Sequence, residues 1–324
     1  MQPLYSDMFL RWGQLLLESV GPALVPMATA FLSVLVGALP FMVIAAFASA
    51  VLEVYVSKDA IARLVPKNSV LGVLLAPVLG LVVPMCECGI VPVARRMVQK
   101  GVPAPAAVTF MLANPILNPL TIYSTYLAFP YMRQMVWLRL AMGYTVAVII
   151  GLLLSRQKDL AILHPETATA HACECGHDHR MGHQSPAERF EALLTHAAGE
   201  FFDVTKYFIV GAGLAAVAQA LIDRPLLEAL GRGPVTSVLV MIAFAFVICI
   251  CSEADAFVAA TFASTFTPGA LLAFLVSGPM TDIKNTLMMT SSFRRSFVWT
   301  LNVAIFTITA LLAVGINYWP GIGG

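Results

Sequence analysis

Long apolar stretches are the feature that most constrains what this chain can fold into. A helix of about 20 apolar residues matches the ~30 Å hydrocarbon core of a bilayer. Of the whole chain, 59% of the residues are hydrophobic and 11% are charged, whereas soluble domains carry about 25% charged residues. The pattern predicts an all-α polytopic membrane protein with spans at 37–56, 105–129, 137–154, 206–222, 270–290 and 297–318.

The charge balance excludes several classes of function. The formal net charge is +1, so the chain has no basic field that would hold a nucleic acid. The sequence has no nucleotide-binding motif and no recognisable catalytic constellation, so we do not expect an enzyme. The lipid bilayer is the partner that the composition predicts.

Two further apolar segments are interrupted by polar residues and cysteines. The first covers 70–83 and 90–100 and is broken at Pro84-Met85-Cys86-Glu87-Cys88-Gly89. The second covers 235–250 and 256–266 and is broken at Cys251-Ser252-Glu253-Ala254-Asp255. Each piece is too short to cross the hydrocarbon core by itself. We therefore expect either re-entrant hairpins or broken crossings.

The two interrupted segments belong to an internal repeat. Placing Cys86 on Cys251 also places Pro103 on Pro268, and after a shift of one residue Asn118 falls on Asp282. Hairpins would put most of the basic residues outside the spans on one side, as cytoplasmic loops require. They also leave three spans per half, which predicts two inverted repeats, each with three spans plus a broken or re-entrant segment.

The repeat divides the chain into four regions. The repeats occupy 31–155 and 190–324, and residues 1–30 form an interfacial or additional N-terminal helix. Residues 156–189 form a polar loop that this topology places in the cytoplasm.

Paired interrupted segments in two halves indicate the binding site of a transporter, and ionisable side chains at membrane depth are usually functional. A carboxylate beside the thiols could accept the protons that thiols release on binding a metal. Two structural alternatives stay open: Asp282 and Lys284 pair to lock two helices, and the asparagines satisfy backbone that prolines disrupt. The predicted cargo chamber is lined by Cys86, Glu87, Cys88, Asn114, Asn118, Cys251, Glu253, Asp255 and Asp282.

The central loop is rich in metal-binding side chains. Imidazole and thiolate both suit Zn²⁺ and copper, and short tracts rich in His and Cys bind such metals. The spacing matches no closed zinc finger, so a flexible, exchanging site is expected, and a solvated linker is the alternative. Nothing else in the sequence requires a cofactor. The candidate ligands for Zn²⁺ or another soft metal are His171, Cys173, Cys175, His177, His179 and His183.

The motifs resemble a known family. The segment from Pro84 to Pro92 together with Asn114-Pro115-Ile116-Leu117-Asn118-Pro119 is similar to the first half of the predicted permeases that include the organoarsenical efflux permeases. The segments Cys251–Phe257 and Gly278–Asn285 are similar to the second half. The resemblance covers about 31–318, and it implies a bacterial inner-membrane permease exporting a thiol-seeking cargo.

The resemblance also implies roles for particular residues. Trivalent organoarsenicals are the best-known cargo of such permeases, and the family cysteines correspond to Cys86, Cys88 and Cys251. Glu87 is a departure, because the family more often has serine there. A carboxylate at this position could favour a cation such as Zn²⁺.

Three functions are therefore in competition. The first is proton-coupled export of a soft metal or metalloid, with a trivalent organoarsenical as the expected cargo. The second is export of Zn²⁺ or another divalent cation. The third, from another class, is a membrane thiol-redox protein, although a Cys-x-Cys pair lacks the two-residue spacer of the usual dithiol motif. A homodimer is compatible with each of them.

Overall fold

The computed structural model describes residues 25, 27–40, 42–44, 46–51, 69–82, 87–156, 162–163, 186–221, 231 and 233–319. This part of the chain is helical apart from turns, bends and an isolated antiparallel bridge between Leu163 and Phe293. The first half contains α1 Met27–Val51, α2 Ser69–Val82, α3 Glu87–Gln99, α4 Ala104–Leu117, α5 Pro119–Ala128 and α6 Gln134–Ser155. The second half contains α7 Pro186–Leu221, α8 Thr236–Ile248, α9 Asp255–Thr261, α10 Pro268–Met280, α11 Ile283–Ser292 and α12 Arg295–Asn317.

The apolar spans follow the sequence pattern closely. Within the described residues, four segments are long and apolar enough to cross a membrane, namely Met27–Val51, Ala104–Ala128, Gln134–Ser155 and Arg295–Asn317. The last three nearly coincide with the spans predicted at 105–129, 137–154 and 297–318, whereas the first overlaps the predicted span 37–56 but begins earlier, at Met27. The predicted span 206–222 is the C-terminal part of α7, a helix of 36 residues. The apolar helices therefore agree with a multi-pass membrane protein.

Two of the predicted spans are interrupted at mid-length. Asn118 separates α4 from α5 because the proline that follows it disfavours helical backbone in the preceding residue, and the Asn118 Oδ1 accepts a hydrogen bond from the Leu120 amide at 3.0 Å. Asp282 separates α10 from α11, and its Oδ1 accepts a hydrogen bond from the Asn285 amide at 2.5 Å. The sequence pattern predicted continuous apolar segments here. The internal repeat nevertheless pairs these two positions, and both are N-caps.

The cysteine-containing segments are broken, as the sequence predicts. The first consists of α2 and α3, and residues 83–86 between them lie outside the described residues. In the second, α8 ends at Cys249, which has left-handed backbone angles (φ 51°, ψ 42°) that residues with a side chain rarely adopt. The carbonyl of Cys251 then accepts hydrogen bonds from the amides of Ala254 and Asp255, and α9 begins there.

Helix packing in one half recurs in the other. In the first half α4 packs against α2, α3 and α6, and in the second half α10 packs against α8, α9 and α12. The two halves meet where α4 contacts α10, where α3 contacts α11 and α5 contacts α9, and where α6 contacts both α10 and α12. The broken helices therefore line the interface between the halves.

Glycines allow the closest of these approaches. A Cβ atom on Gly80 of α2 would lie 2.9 Å from the Cα of Asn114 in α4. A Cβ atom on Gly211 of α7 would lie 2.7 Å from the Cα of Lys284 in α11. Small residues let membrane helices approach backbone to backbone, and here the two contacts fix the positions of two polar residues at the interface.

Candidate functional site

The starts of three helices bring carboxylates to the interface between the halves. Glu87 is the first residue of α3, Asp255 is the first residue of α9, and Asp282 is the N-cap of α11. The N-terminus of a helix carries a partial positive charge that favours a negative side chain. All three side chains are buried, and buried charges of this kind require partners.

Lys284 is the partner of two of these carboxylates. Its Nζ lies 3.2 Å from the Glu87 Oε1 and 3.4 Å from the Asp282 Oδ2. The second Glu87 oxygen, Oε2, accepts a hydrogen bond of 3.3 Å from the Ser252 hydroxyl. The Phe208 ring lies 6.0 Å from the lysine Nζ. An ammonium group thus occupies the space between a carboxylate of the first half and one of the second.

Arg139 is the partner of Asp255. Its Nη2 lies 2.7 Å from the Asp255 Oδ2 and also donates to the Ser252 carbonyl at 3.3 Å, while its Nη1 donates to the Thr125 hydroxyl at 2.7 Å. Both charged side chains are buried. Arg139 lies near the start of α6, and its side chain is buried in the helix bundle.

The two ion pairs are reciprocal. Arg139 of the first half binds the acid that begins α9 in the second half, and Lys284 of the second half binds the acid that begins α3 in the first. Glu87 and Ser252, which the internal repeat places on each other, are in direct contact. Contact between corresponding positions is what a two-fold relation between the halves would produce at its axis.

The described thiols differ in accessibility. Cys251 is exposed in the break between α8 and α9, whereas Cys249 is buried. Cys251 interacts electrostatically with Glu87, Glu253 and Lys284. The Cys249 thiol donates a hydrogen bond to the Phe246 carbonyl at 3.4 Å. Cys251 is therefore the more accessible of the two described thiols, and it lies beside the buried ion pairs.

The described charged side chains around these ion pairs include more acids than cations. The acids interact electrostatically with one another and with Arg139 and Lys284. Two cations leave an excess of two negative charges if every group is ionised. An excess of this size inside a membrane protein calls for bound cations or protons. The acids are Glu87, Glu253, Asp255 and Asp282.

The remaining predicted residues fall into two groups. Asn114 is fully buried against Gly80, and Asn118 caps α5, so the structural role foreseen for Asn118 is present. The side chains of Cys86 and Cys88 lie outside the described residues, as do His171, Cys173, Cys175, His177, His179 and His183. Within the residues that are described, no group of three or more His, Cys, Asp or Glu side chains could hold a metal ion.

Sequence reasoning missed Arg139 and Ser252. Arg139 is the third residue of the predicted span 137–154, which is compatible with either an interfacial or a buried side chain. Its partner Asp255 is 116 positions away. The signal that could have indicated Arg139 was the charge balance of the second half. Lys284 is the cation that the second half supplies for several acids, so a cation from the first half was to be expected.

Paired broken helices and buried charges inside a helical bundle are typical of secondary transporters. Comparison with known proteins agrees: the family model described as "Predicted permease" matches residues 24–318. The chain belongs to this predicted permease family.

Two curated relatives extend the comparison. The chain is 43% identical to the UPF0718 protein YcgR of Bacillus subtilis (strain 168) over 86% of this chain and 92% of that protein. It is 37% identical over 83% of this chain to a Streptococcus mutans protein named "Putative two-component membrane permease complex subunit", of which 87% is covered. No solved structure matches. These similarities favour a transporter over an enzyme.

Proposed function

We propose that this chain is a bacterial inner-membrane permease that exports a soft, thiol-seeking cargo in exchange for protons, with a trivalent organoarsenical as the first candidate. The observation that carries the proposal is the position of Cys251. Its thiol is exposed in a helix break at the interface of the halves, close to Glu87, whose carboxylate is paired with Lys284. Thiolates select soft species, so the accessible ligand matches a soft cargo.

The chemistry at such a thiol is simple. An As–OH group and a thiol give an As–S bond and one molecule of water, so no oxidant or reductant is needed. Glu87 contacts Ser252, the neighbour of Cys251, which brings the first cysteine motif against the second. Cys86 and Cys88, on either side of Glu87, are therefore our candidates for the additional thiols that would complete the site.

Alternating access would follow from inverted repeats. The recurrence of helix contacts in the two halves, and the contact between Glu87 and Ser252, support a two-fold relation. In such a permease one half rocks against the other around a site at the midplane. The interface that carries the ion pairs is the surface at which this motion would occur.

Proton exchange is supported by the charge balance. The described charged groups around Glu87 and Asp255 include two more acids than cations, and bound protons are the simplest way to neutralise this excess. Arrival of the cargo would release protons from the thiols. The His- and Cys-rich loop at 156–189 would hold cargo, or a soft metal ion, near the cytoplasmic entrance.

The test uses everted membrane vesicles with and without a pH gradient, offered a trivalent methylated arsenical and Zn²⁺ in parallel. We expect gradient-dependent uptake of the arsenical that is lost in Cys251→Ser and in Cys86→Ser. The matched control is Cys249→Ser, which changes the buried thiol two residues away and should keep most of the uptake.

Each other outcome has a defined meaning. Uptake of Zn²⁺ alone would transfer the assignment to a divalent-cation exporter with Glu87 as a ligand. Arsenical uptake that survives in Cys251→Ser at normal protein levels would overturn the thiol site. If neither cargo accumulates, the proposal that the protein exports these cargoes is wrong, and the thiol-redox alternative is the next to test.

A further inference from the structure

The carboxylate of Glu87 is already engaged on both of its oxygens. The Lys284 Nζ lies 3.2 Å from Oε1, and the Ser252 hydroxyl donates to Oε2. This residue carries the argument for a divalent-cation cargo, because a carboxylate beside thiols is a good Zn²⁺ ligand. In the structure its negative charge is matched by an ammonium group of the protein itself.

Lys284 occupies the position that a bridging metal ion would need. Its ammonium lies between Glu87 and Asp282, which come from different halves, at 3.2 and 3.4 Å. A Zn²⁺ ion bound by these two carboxylates would lie about 2.0–2.2 Å from an oxygen of each, and so in the volume that the lysine nitrogen fills.

Packing holds the lysine in this position. A Cβ atom on Gly211 would lie 2.7 Å from the Lys284 Cα, so α7 is against the backbone of this residue. The Phe208 ring is 6.0 Å from the Nζ, and the side chain is almost fully buried. A metal ion could enter only if the lysine ammonium moved away from both carboxylates. The ammonium would then be a buried charge without a partner, which is costly in free energy.

We propose that Lys284 is a tethered cation that determines the cargo specificity of this permease. It occupies the place of a divalent cation between Glu87 and Asp282, so that the chamber rejects Zn²⁺ and accepts a neutral, thiol-seeking cargo at Cys251. An uncharged trivalent arsenical needs the thiol but need not displace the lysine. This inference rests on the proposed function for the location of the cargo, and it assigns Glu87 a structural partner in place of a metal.

The experiment measures protection of a single thiol. The full-length protein in lipid nanodiscs is alkylated with a maleimide, and modification of the peptide containing Cys251 is followed by mass spectrometry. Reading this peptide separates the chamber from Zn²⁺ bound by the histidine-rich loop. The two probes are phenylarsine oxide, a neutral trivalent arsenical, and Zn²⁺, each titrated to the concentration that halves alkylation of Cys251.

In the natural protein, phenylarsine oxide should protect Cys251 at a far lower concentration than Zn²⁺. Lys284→Gln should lower the protecting concentration of Zn²⁺ by about tenfold or more, because the competing charge is removed, and should change that of phenylarsine oxide by less than about threefold. Lys284→Arg keeps a positive charge and should leave Zn²⁺ as weak as before. The surface variant Lys206→Gln should change neither probe.

A charge-balanced double variant is the control for misfolding of Lys284→Gln. Lys284→Gln combined with Asp282→Asn removes one charge of each sign and keeps an N-cap acceptor for Asn285. It should also gain Zn²⁺ protection, through the released Glu87. If the folded single or double variant shows no gain for Zn²⁺, or if both probes shift together, Lys284 is only structural and the proposal is wrong. A gain in Lys284→Arg would equally overturn it.

Failure of the proposed function would look different. If phenylarsine oxide does not protect Cys251 in the natural protein, the arsenical site is wrong, whatever the lysine variants do. A gain in Zn²⁺ protection on removal of Lys284 would still establish the lysine as the group that excludes divalent cations.

Discussion

Two buried ion pairs join the halves of this protein, and they are built in different ways. Arg139 contacts Asp255 at 2.7 Å, and two further acceptors, Thr125 and the Ser252 carbonyl, fix its guanidinium group. Lys284 shares its charge between Glu87 and Asp282 at the longer distances of 3.2 and 3.4 Å. Arg139 is paired with one acid and held by two further hydrogen bonds, whereas Lys284 is paired with two acids.

The difference suits two different tasks. Guanidinium is planar and always charged, and it makes several directed hydrogen bonds at once, whereas the lysine ammonium is a compact charge on a flexible stem. An arginine held by three groups is suited to a permanent contact between the two halves. A lysine shared between two carboxylates is suited to a position at which another positive species competes. We expect the two pairs to respond differently when each is broken.

The largest effect is expected from Arg139→Gln. This change leaves Asp255 buried without its cation, and breaking a buried ion pair costs about 3–5 kcal/mol. Thermal unfolding of the purified protein in detergent should show a large loss of stability. Lys284→Gln should cost less, because the Ser252 hydroxyl still donates to Glu87 and the Asn285 amide to Asp282.

Combining Arg139→Gln with Asp255→Asn is the control. Replacing both partners of a buried pair is far less costly than removing one, so the double variant should recover much of the lost stability. If Arg139→Gln and Lys284→Gln destabilise the protein equally, Arg139 is not a permanent contact in any sense that distinguishes it from the exchangeable Lys284.

The sequence predicts the parts of this arrangement that depend on local signals. Apolar length predicts the spans, and cysteine-containing breaks predict the paired interrupted segments. The interruptions at Asn118 and Asp282 were missed as helix ends because the apolar pattern continues through them. The Asn118-Pro119 step was the local signal for the first of these, and the repeat then indicated the second.

The pairing of charges could not be predicted in the same way. Glu87, Asp255 and Asp282 stand out because acids are rare at membrane depth. Which cation neutralises which acid depends on packing across the interface, and Lys284 and Glu87 are 197 positions apart. The sequence therefore indicated where charge is buried but not that Glu87 is already paired with an ammonium group, which bears directly on the choice between Zn²⁺ and an arsenical.

A medium effect is expected from Gly211→Ala, which tests the lysine pair alone. The new methyl group would lie 2.7 Å from the Lys284 Cα, so α7 and α11 must separate and carry Lys284 away from Glu87. Overpacking of this kind costs about 1–3 kcal/mol. We expect that loss in thermal unfolding, while the Arg139 pair stays intact.

Gly213→Ala is the matched control in the same helix. A Cβ atom at this position has nothing within 4 Å, and alanine is the better helix former by about 1 kcal/mol. Stability should therefore stay the same or rise slightly. If the two alanine variants behave alike, the close approach of α7 to Lys284 does not constrain the lysine.

The smallest effect is expected from Lys206→Gln, which shows why burial rather than distance separates the ion pairs. The Lys206 Nζ lies 2.8 Å from the Asp203 Oδ1, almost as close as Arg139 lies to Asp255. The Lys206 and Asp203 side chains are 59% and 61% exposed, against 2% and 3% for Arg139 and Asp255. Exposed pairs contribute about 0–1 kcal/mol, so the unfolding temperature should barely change. A loss comparable to that of Arg139→Gln would mean that these variants report general damage to the bundle, and the contrast between the two buried pairs would then have to be measured by double-mutant cycles.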